Sequence, residues 1–125
     1  MIHCYIQNGY HIVLDIYSGN DDEVLPILSI GGIGVISVLA NVMPEETHNM
    51  VMDYLSGETA RAADFQLKAI PLINALFSEV NPIPVKAAMA AMGWCENLVR
   101  LPLTPMEEEH WQKLRALMVG QGLLS

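Results

Sequence analysis

The sequence predicts a mixed α/β chain, mostly helical, in which a short strand–helix–strand unit precedes a run of helices. Three observations carry this. The β-branched apolar run "GVISVLANV" follows the glycine pair Gly31-Gly32, a helix stop. A second apolar run, "YHIVLDIY", ends just before the same helix, and after Asn41 apolar residues recur at helical rather than strand spacing.

Taken in order, Asn8-Gly9 lies between "IHCYIQ" and "YHIVLDIY", and Asn-Gly readily takes the positive φ angles of a type I′ turn, so residues 2–17 read as a hairpin. "SGNDDEVLPILSIGG" starts a helix at Asn20 or Asp21, whose side chains accept from free N–H groups, and ends it at Gly31-Gly32. Pro26 falls near its first turn, where it is tolerated. "GVISVLANV" is apolar on both faces, as expected of a strand buried on both sides in a parallel sheet. Residues 12–42 therefore form a strand–helix–strand unit.

Four helices are expected after it. Pro44 starts and Gly57 stops the first. In the second, Ala62, Phe65, Leu67, Ile70, Ile73, Leu76 and Phe77 form the apolar stripe, with a kink at Pro71. The third covers about Ile83 to Met92. The last follows "LTPMEEEH", where Thr104 and Glu107 make a T-x-x-E capping box and Pro105 takes the first helical position.

Composition bounds what this fold does. The 125 residues suit one small domain, 52% of them are hydrophobic and 16% charged, which excludes a disordered chain. A net charge of -8, with no run among the six cations, argues against nucleic acid and anionic membrane surfaces as partners. "MIHCYIQNGYHIVLDI" lacks the pattern of a signal peptide, and no segment approaches the roughly 18 apolar residues of a membrane span. Cys4 and Cys95 have no metal or disulfide spacing and read as buried free thiols in a reducing, cytoplasmic setting.

Few residue constellations suggest chemistry. "EETH" and "EEEH" each set a glutamate three residues before a histidine, Glu45 with His48 and Glu107 with His110, which is half of a di-iron carboxylate site. Both follow a proline in a first helical turn, where acids are favoured by the helix dipole alone, so no metal and no cofactor are expected. "GGIG", Gly31 to Gly34, ends a helix and opens a strand, the reverse of a phosphate loop. Ser18 and Ser37 lie in no nucleophile elbow. Lys86, in "NPIPVKAAMAAMG", would suit a Schiff-base amine if buried, and otherwise is an ordinary lysine snorkelling along apolar neighbours. "YSGND" and "ANVMP" sit at the carboxyl ends of the two parallel strands, where α/β folds place their chemistry.

"DIYSGNDDEVLPILSIGGIGVISVLANVMP", "NPIPVKAAMAAMG" and "RLPLTP", in this order, resemble the carboxyl-terminal part of the dihydrodipicolinate synthase family, the pyruvate-dependent class I aldolases of bacterial lysine biosynthesis. The resemblance runs from about Leu14 to Ser125 and is closer to the synthase branch than to its sialic-acid lyase relatives. It implies the last two parallel strands of a (β/α)8 barrel and their helices in residues 1–57, and a carboxyl-terminal helical domain in residues 58–125. By resemblance Ile36 contacts pyruvate, Gly19 lies at the pocket floor and Asn81 reaches toward the site. The family's Schiff-base lysine, relay tyrosine, substrate arginine and threonine pair match no position of this chain, so no catalytic residue is assigned.

A (β/α)8 barrel typically needs about 250 residues. The expectation is therefore a chain inactive alone, binding pyruvate only if its site is completed. Its open strand edges favour pairing with other chains, either as a homo-oligomer or with a complementing amino-terminal half. The alternative reading is a non-catalytic module that only self-associates or complements.

Overall fold

The computed structural model describes residues 2–5 and 11–125, with side chains described from Leu14 onward. Strands β1 (Ile2–Tyr5) and β2 (His11–Leu14) pair antiparallel, with Ile2 opposite Leu14 and Tyr5 opposite His11. The two strands of the expected hairpin are thus present, while the Asn8-Gly9 turn lies outside the described residues. β3 (Tyr17–Ser18) and β4 (Gly34–Val35) form a separate parallel pair, with Tyr17 opposite Gly34 and Ser18 opposite Val35. Between them run a 3-10 turn, Asp21–Glu23, and helix α1 (Val24–Ser29), completing the strand–helix–strand unit.

Three details of that unit differ from expectation. Asn20 makes no side-chain cap, and the helix opens as a 3-10 turn because Asp21 turns inward to bond a distant segment. "GVISVLANV" is not a strand buried on both faces: β4 ends at Val35, Ile36 is 72% exposed, and Leu39–Asn41 coil into a second 3-10 turn. β4 has one neighbour among the described residues, so no second strand extends it or covers Ile36. The glycine stop holds, each glycine for its own reason. Gly31 has φ 101° and its N–H reaches the Leu28 carbonyl at 3.1 Å, while Gly32 donates to Ile27 O at 2.8 Å, a Schellman ending. At Gly32 a β-carbon would lie 2.8 Å from that same carbonyl oxygen.

The remaining helices are α2 (Pro44–Ser56), α3 (Thr59–Leu76), α4 (Ile83–Ala91) and α5 (Glu108–Gly120). Pro44 opens α2, and Gly57, at φ 99°, closes it with the same Schellman pair of bonds, Gly57 N–H to Tyr54 O and Glu58 N–H to Asp53 O. α3 runs unbroken through Pro71, an exposed position. Its buried stripe is Ala62, Gln66, Ala69, Leu72, Ile73, Ala75 and Leu76; Leu67 and Phe77, expected inside, are exposed. Ala62 packs with Val24, Leu28 and Met50, and Leu72, Ile73 and Leu76 pack in the cluster shared with α4 and α5, which leaves Leu67 and Phe77 outside the buried face.

α5 also starts later than the T-x-x-E pattern implies. Its first residue is Glu108, and Thr104 makes no cap. Instead the Glu79 carboxylate, from the turn after α3, accepts from the Glu107 N–H at 2.9 Å and pairs with His110 Nδ1 at 2.8 Å. A charged acceptor already placed by tertiary packing displaces the local hydroxyl.

Two clusters form the core. The smaller joins Val24 and Leu28 of α1 to Met50 of α2 and Ala62 of α3. The larger joins Leu39, Val42 and Met43 to Leu72 and Leu76 of α3, Val85 and Ala88 of α4, and Leu114 and Met118 of α5. Among the described residues, no helix is long and apolar enough to cross a membrane.

Candidate functional site

The parallel pair is bracketed by two further backbone bonds, Ile33 N–H to Ile16 O and Ile36 N–H to Ser18 O, each 2.8 Å. This continues the ladder one residue past β4 and brings Ile36 beside the Ser18-Gly19 end of β3. Gly34 keeps the pair close: a β-carbon there would lie 3.0 Å from the Tyr17 ring. Past the strand end the chain turns back through Ser18, whose hydroxyl donates to Asn20 O at 2.7 Å and accepts from Asn20 N–H at 3.3 Å. Gly19 stands exposed at the tip; among the described residues, its chain neighbours aside, no atom lies within 4 Å of where a β-carbon would sit.

Behind these strand ends lies a group that the spacing of the sequence does not reveal. Asp21 is 1% exposed, and its carboxylate accepts from the Ser37 hydroxyl, from Val38 N–H at 2.9 Å and from Leu39 N–H at 3.0 Å. Ser37 Oγ accepts in turn from Ala40 N–H at 2.8 Å. The Asp21 carbonyl accepts from Gln66 Nε2 of α3 at 2.8 Å, and the buried Gln66 Oε1 has no partner among the described residues. With its proton directed to Asp21, Ser37 is no free nucleophile; the hydroxyl of Ser18 is likewise committed, to Asn20.

The predicted site residues are only partly gathered. Gly19 and Ile36 meet at the adjacent strand ends. Asn81 is exposed in the turn between α3 and α4, and among the described residues no hydrogen bond joins it to β3 or β4. A hollow of about 290 Å³ beside β4 is lined by Tyr17, Gly34, Ser37, Pro44 and His48, and one of about 190 Å³ by Asn20, Asp22, Asn74 and Phe77. Ile36 and Gly19 line neither; both are exposed. Another hollow, about 320 Å³ between α4 and α5, is lined by Ala87, Ala90, Ala91, Asn97, Glu108 and Trp111.

Lys86 lies one turn into α4, partly exposed, and donates through Nζ to the Leu98 carbonyl. It is a bonded rim lysine, not a buried amine. Cys95, expected to be buried, is exposed in the segment after α4, 4.0 Å from the Lys86 carbonyl. His110 faces Glu79, not Glu107 just ahead of its helix, and among the described residues no three His, Cys, Asp or Glu side chains group as a metal site. Charge pairing lies on the helices: Arg61 donates through Nε and Nη2 to the two carboxylate oxygens of Asp53 and holds that carboxyl below the usual range. The hydrogen bond from Lys113, ahead of its charge, does the same to Glu109.

The family model of the dihydrodipicolinate synthetase family matches residues 3–120. The chain belongs to that family. It is 56% identical over 110 residues to the 4-hydroxy-tetrahydrodipicolinate synthase of Caldicellulosiruptor bescii, a match covering 88% of this chain and 37% of the relative. The dihydrodipicolinate synthase of Thermotoga maritima superposes with a TM-score of 0.86 at 44% identity, over 88% of this chain and 37% of that one. The chloride-inhibited synthase of Acinetobacter baumannii, complexed with pyruvate, superposes with a TM-score of 0.84 at 34% identity, over 89% and 38%. The chain thus spans little more than a third of the family members it matches, and its largely helical structure with small sheets corresponds to part of their TIM-barrel fold.

Proposed function

We propose that this chain is the carboxyl-terminal portion of a pyruvate-dependent class I aldolase of the dihydrodipicolinate synthase type, acting in the cytoplasm in lysine biosynthesis. Residues 1–57 end its (β/α)8 barrel and 58–125 form its helical domain. The observation that carries this reading is the parallel pairing of β3 with β4, which sets Gly19 and Ile36 side by side at the carboxyl ends of adjacent strands, where such barrels gather their chemistry. In this reading Ile36 contacts pyruvate, Gly19 forms the pocket floor and Asn81 closes in from the turn before α4. The pyruvate bound by the Acinetobacter baumannii relative supports the ligand class.

The nucleophile belongs to a segment other than these 125 residues. A lysine amine adds to the C2 carbonyl of pyruvate and water leaves, giving an iminium that borohydride reduces to a stable secondary amine. The chain alone has pocket wall without that amine. Borohydride treatment with labelled pyruvate is expected to leave the isolated chain unlabelled. Combined with the amino-terminal part of the Caldicellulosiruptor bescii relative, the label is expected on a lysine of that part. Covalent label on Lys86, or no label in the combination, would overturn the assignment.

The exposure of Tyr17 and Ile36 at the parallel pair, and of Leu14 at the end of β2, favours a second reading, in which the chain is a non-catalytic module that self-associates or complements a separate amino-terminal half. A combination that assembles and yet traps no pyruvate would select it.

A further inference from the structure

We infer that Asp21 is a positioning residue: its buried carboxylate fixes the backbone from Ser37 to Ala40 and so, together with the ladder bond from Ile36 N–H to Ser18 O, sets where Ile36 stands in the pocket wall. The inference rests on the reading of Ile36 as a pyruvate contact. β4 ends at Val35, and the 3-10 turn Leu39–Asn41 begins four residues later, so the connection has no ladder of its own. Its N–H groups at Val38, Leu39 and Ala40 lack carbonyl partners in that segment. Asp21 satisfies the first two directly, at 2.9 and 3.0 Å, and the third through Ser37 at 2.8 Å. One side chain, 1% exposed, therefore acts as a cap supplied from the loop of the neighbouring strand. The same residue's carbonyl is held by Gln66, which ties the arrangement to α3. Ile36 is 72% exposed, so its position is inherited from backbone on both sides: its own N–H bond to Ser18 O before it and the Asp21-held turn after it.

In Asp21→Asn the amide nitrogen replaces one acceptor with a donor, and at least one N–H or the Ser37 hydroxyl is left facing it. In the 125-residue chain, amide exchange at Val38, Leu39 and Ala40 is expected to quicken by about a hundredfold, with α5 unchanged. In the chain combined with the amino-terminal part, KM for pyruvate is expected to rise about tenfold with kcat within about twofold, as for a lost ground-state contact. A merely structural defect would lower kcat through the active fraction and leave KM alone. Ser37→Ala should quicken exchange chiefly at Ala40 and Ser37→Thr should restore it, which keeps the test decisive if Asp21→Asn does not fold. Unchanged protection at Val38–Ala40 overturns the inference, as does quickened exchange with an unaltered KM. A wild-type combination that neither binds nor turns over pyruvate overturns the functional reading and the pocket half of the inference together, while exchange still decides whether Asp21 holds the turn.

Discussion

Arg61 and Asp53 tie the end of α2 to the start of α3 across Gly57. The guanidinium holds the Asp53 carboxyl below its ordinary pKa, first through the hydrogen bond and also through its charge, against an opposing desolvation. A lowered folded pKa means that the pair stabilises the fold above the unfolded carboxyl's pKa, and that this stabilisation is lost as pH falls through the lowered value. The Tm difference between the wild type and Asp53→Asn should therefore hold steady from about pH 7 to about pH 5 and shrink below about pH 4. Because Arg61 is exposed, added salt should diminish it. A difference that persists undiminished at the acid end would show that the carboxylate is not the stabilising partner. At this scale some residues were legible in sequence and others were not. Gly31, Pro44 and Gly57 act through their own backbones, and their roles follow from identity alone. Asp21 acts through a partner 16 residues away, and the only local reading open to it was that of a helix cap.

Helix α5 is held at its start by one carboxylate oxygen. Glu79 Oε1 takes both the Glu107 N–H and His110 Nδ1, and its side chain is 14% exposed. Glu79→Gln keeps the shape and removes the charge, and should destabilise the chain by about 1 kcal/mol, in the range of a lost cap. Faster exchange confined to the first turn of α5, with α2 unaffected, is the expected signature; uniform loss of protection would mean that the contact is part of the global core. The T-x-x-E pattern misplaced this start because capping boxes are read within four residues, whereas the acceptor that wins lies 28 residues upstream. The same limit explains the stripe on α3. Periodicity found the helix, yet Leu67 points outward, because which face is buried is decided by what α2, α4 and α5 present to it.

Among the described residues the molecule carries an uncovered sheet end and an exposed apolar segment after α4, with Ile36 at 72% and Leu101 at 91% exposure. Surfaces of this kind draw partners. Sedimentation at micromolar concentration should show self-association of the isolated chain; a sharply monomeric boundary would speak against it. The strand–helix–strand unit and all four later helices were legible from glycines, prolines and apolar spacing. The extent of β4 was not, because an apolar run specifies what the segment prefers to bury and says nothing of whether a neighbour is there to bury it.

Leu39, Val42 and Met43, next to the candidate site, share one core with Leu72, Leu76, Leu114 and Met118. For the recombination of barrel genes this sets the crossover point. Exchanging only the residues after Gly57 would set a foreign α3 against Leu39 and Val42 and split that core between two ancestries, whereas a junction ahead of β3 carries both clusters, and the Asp21 network between them, across as one inherited block.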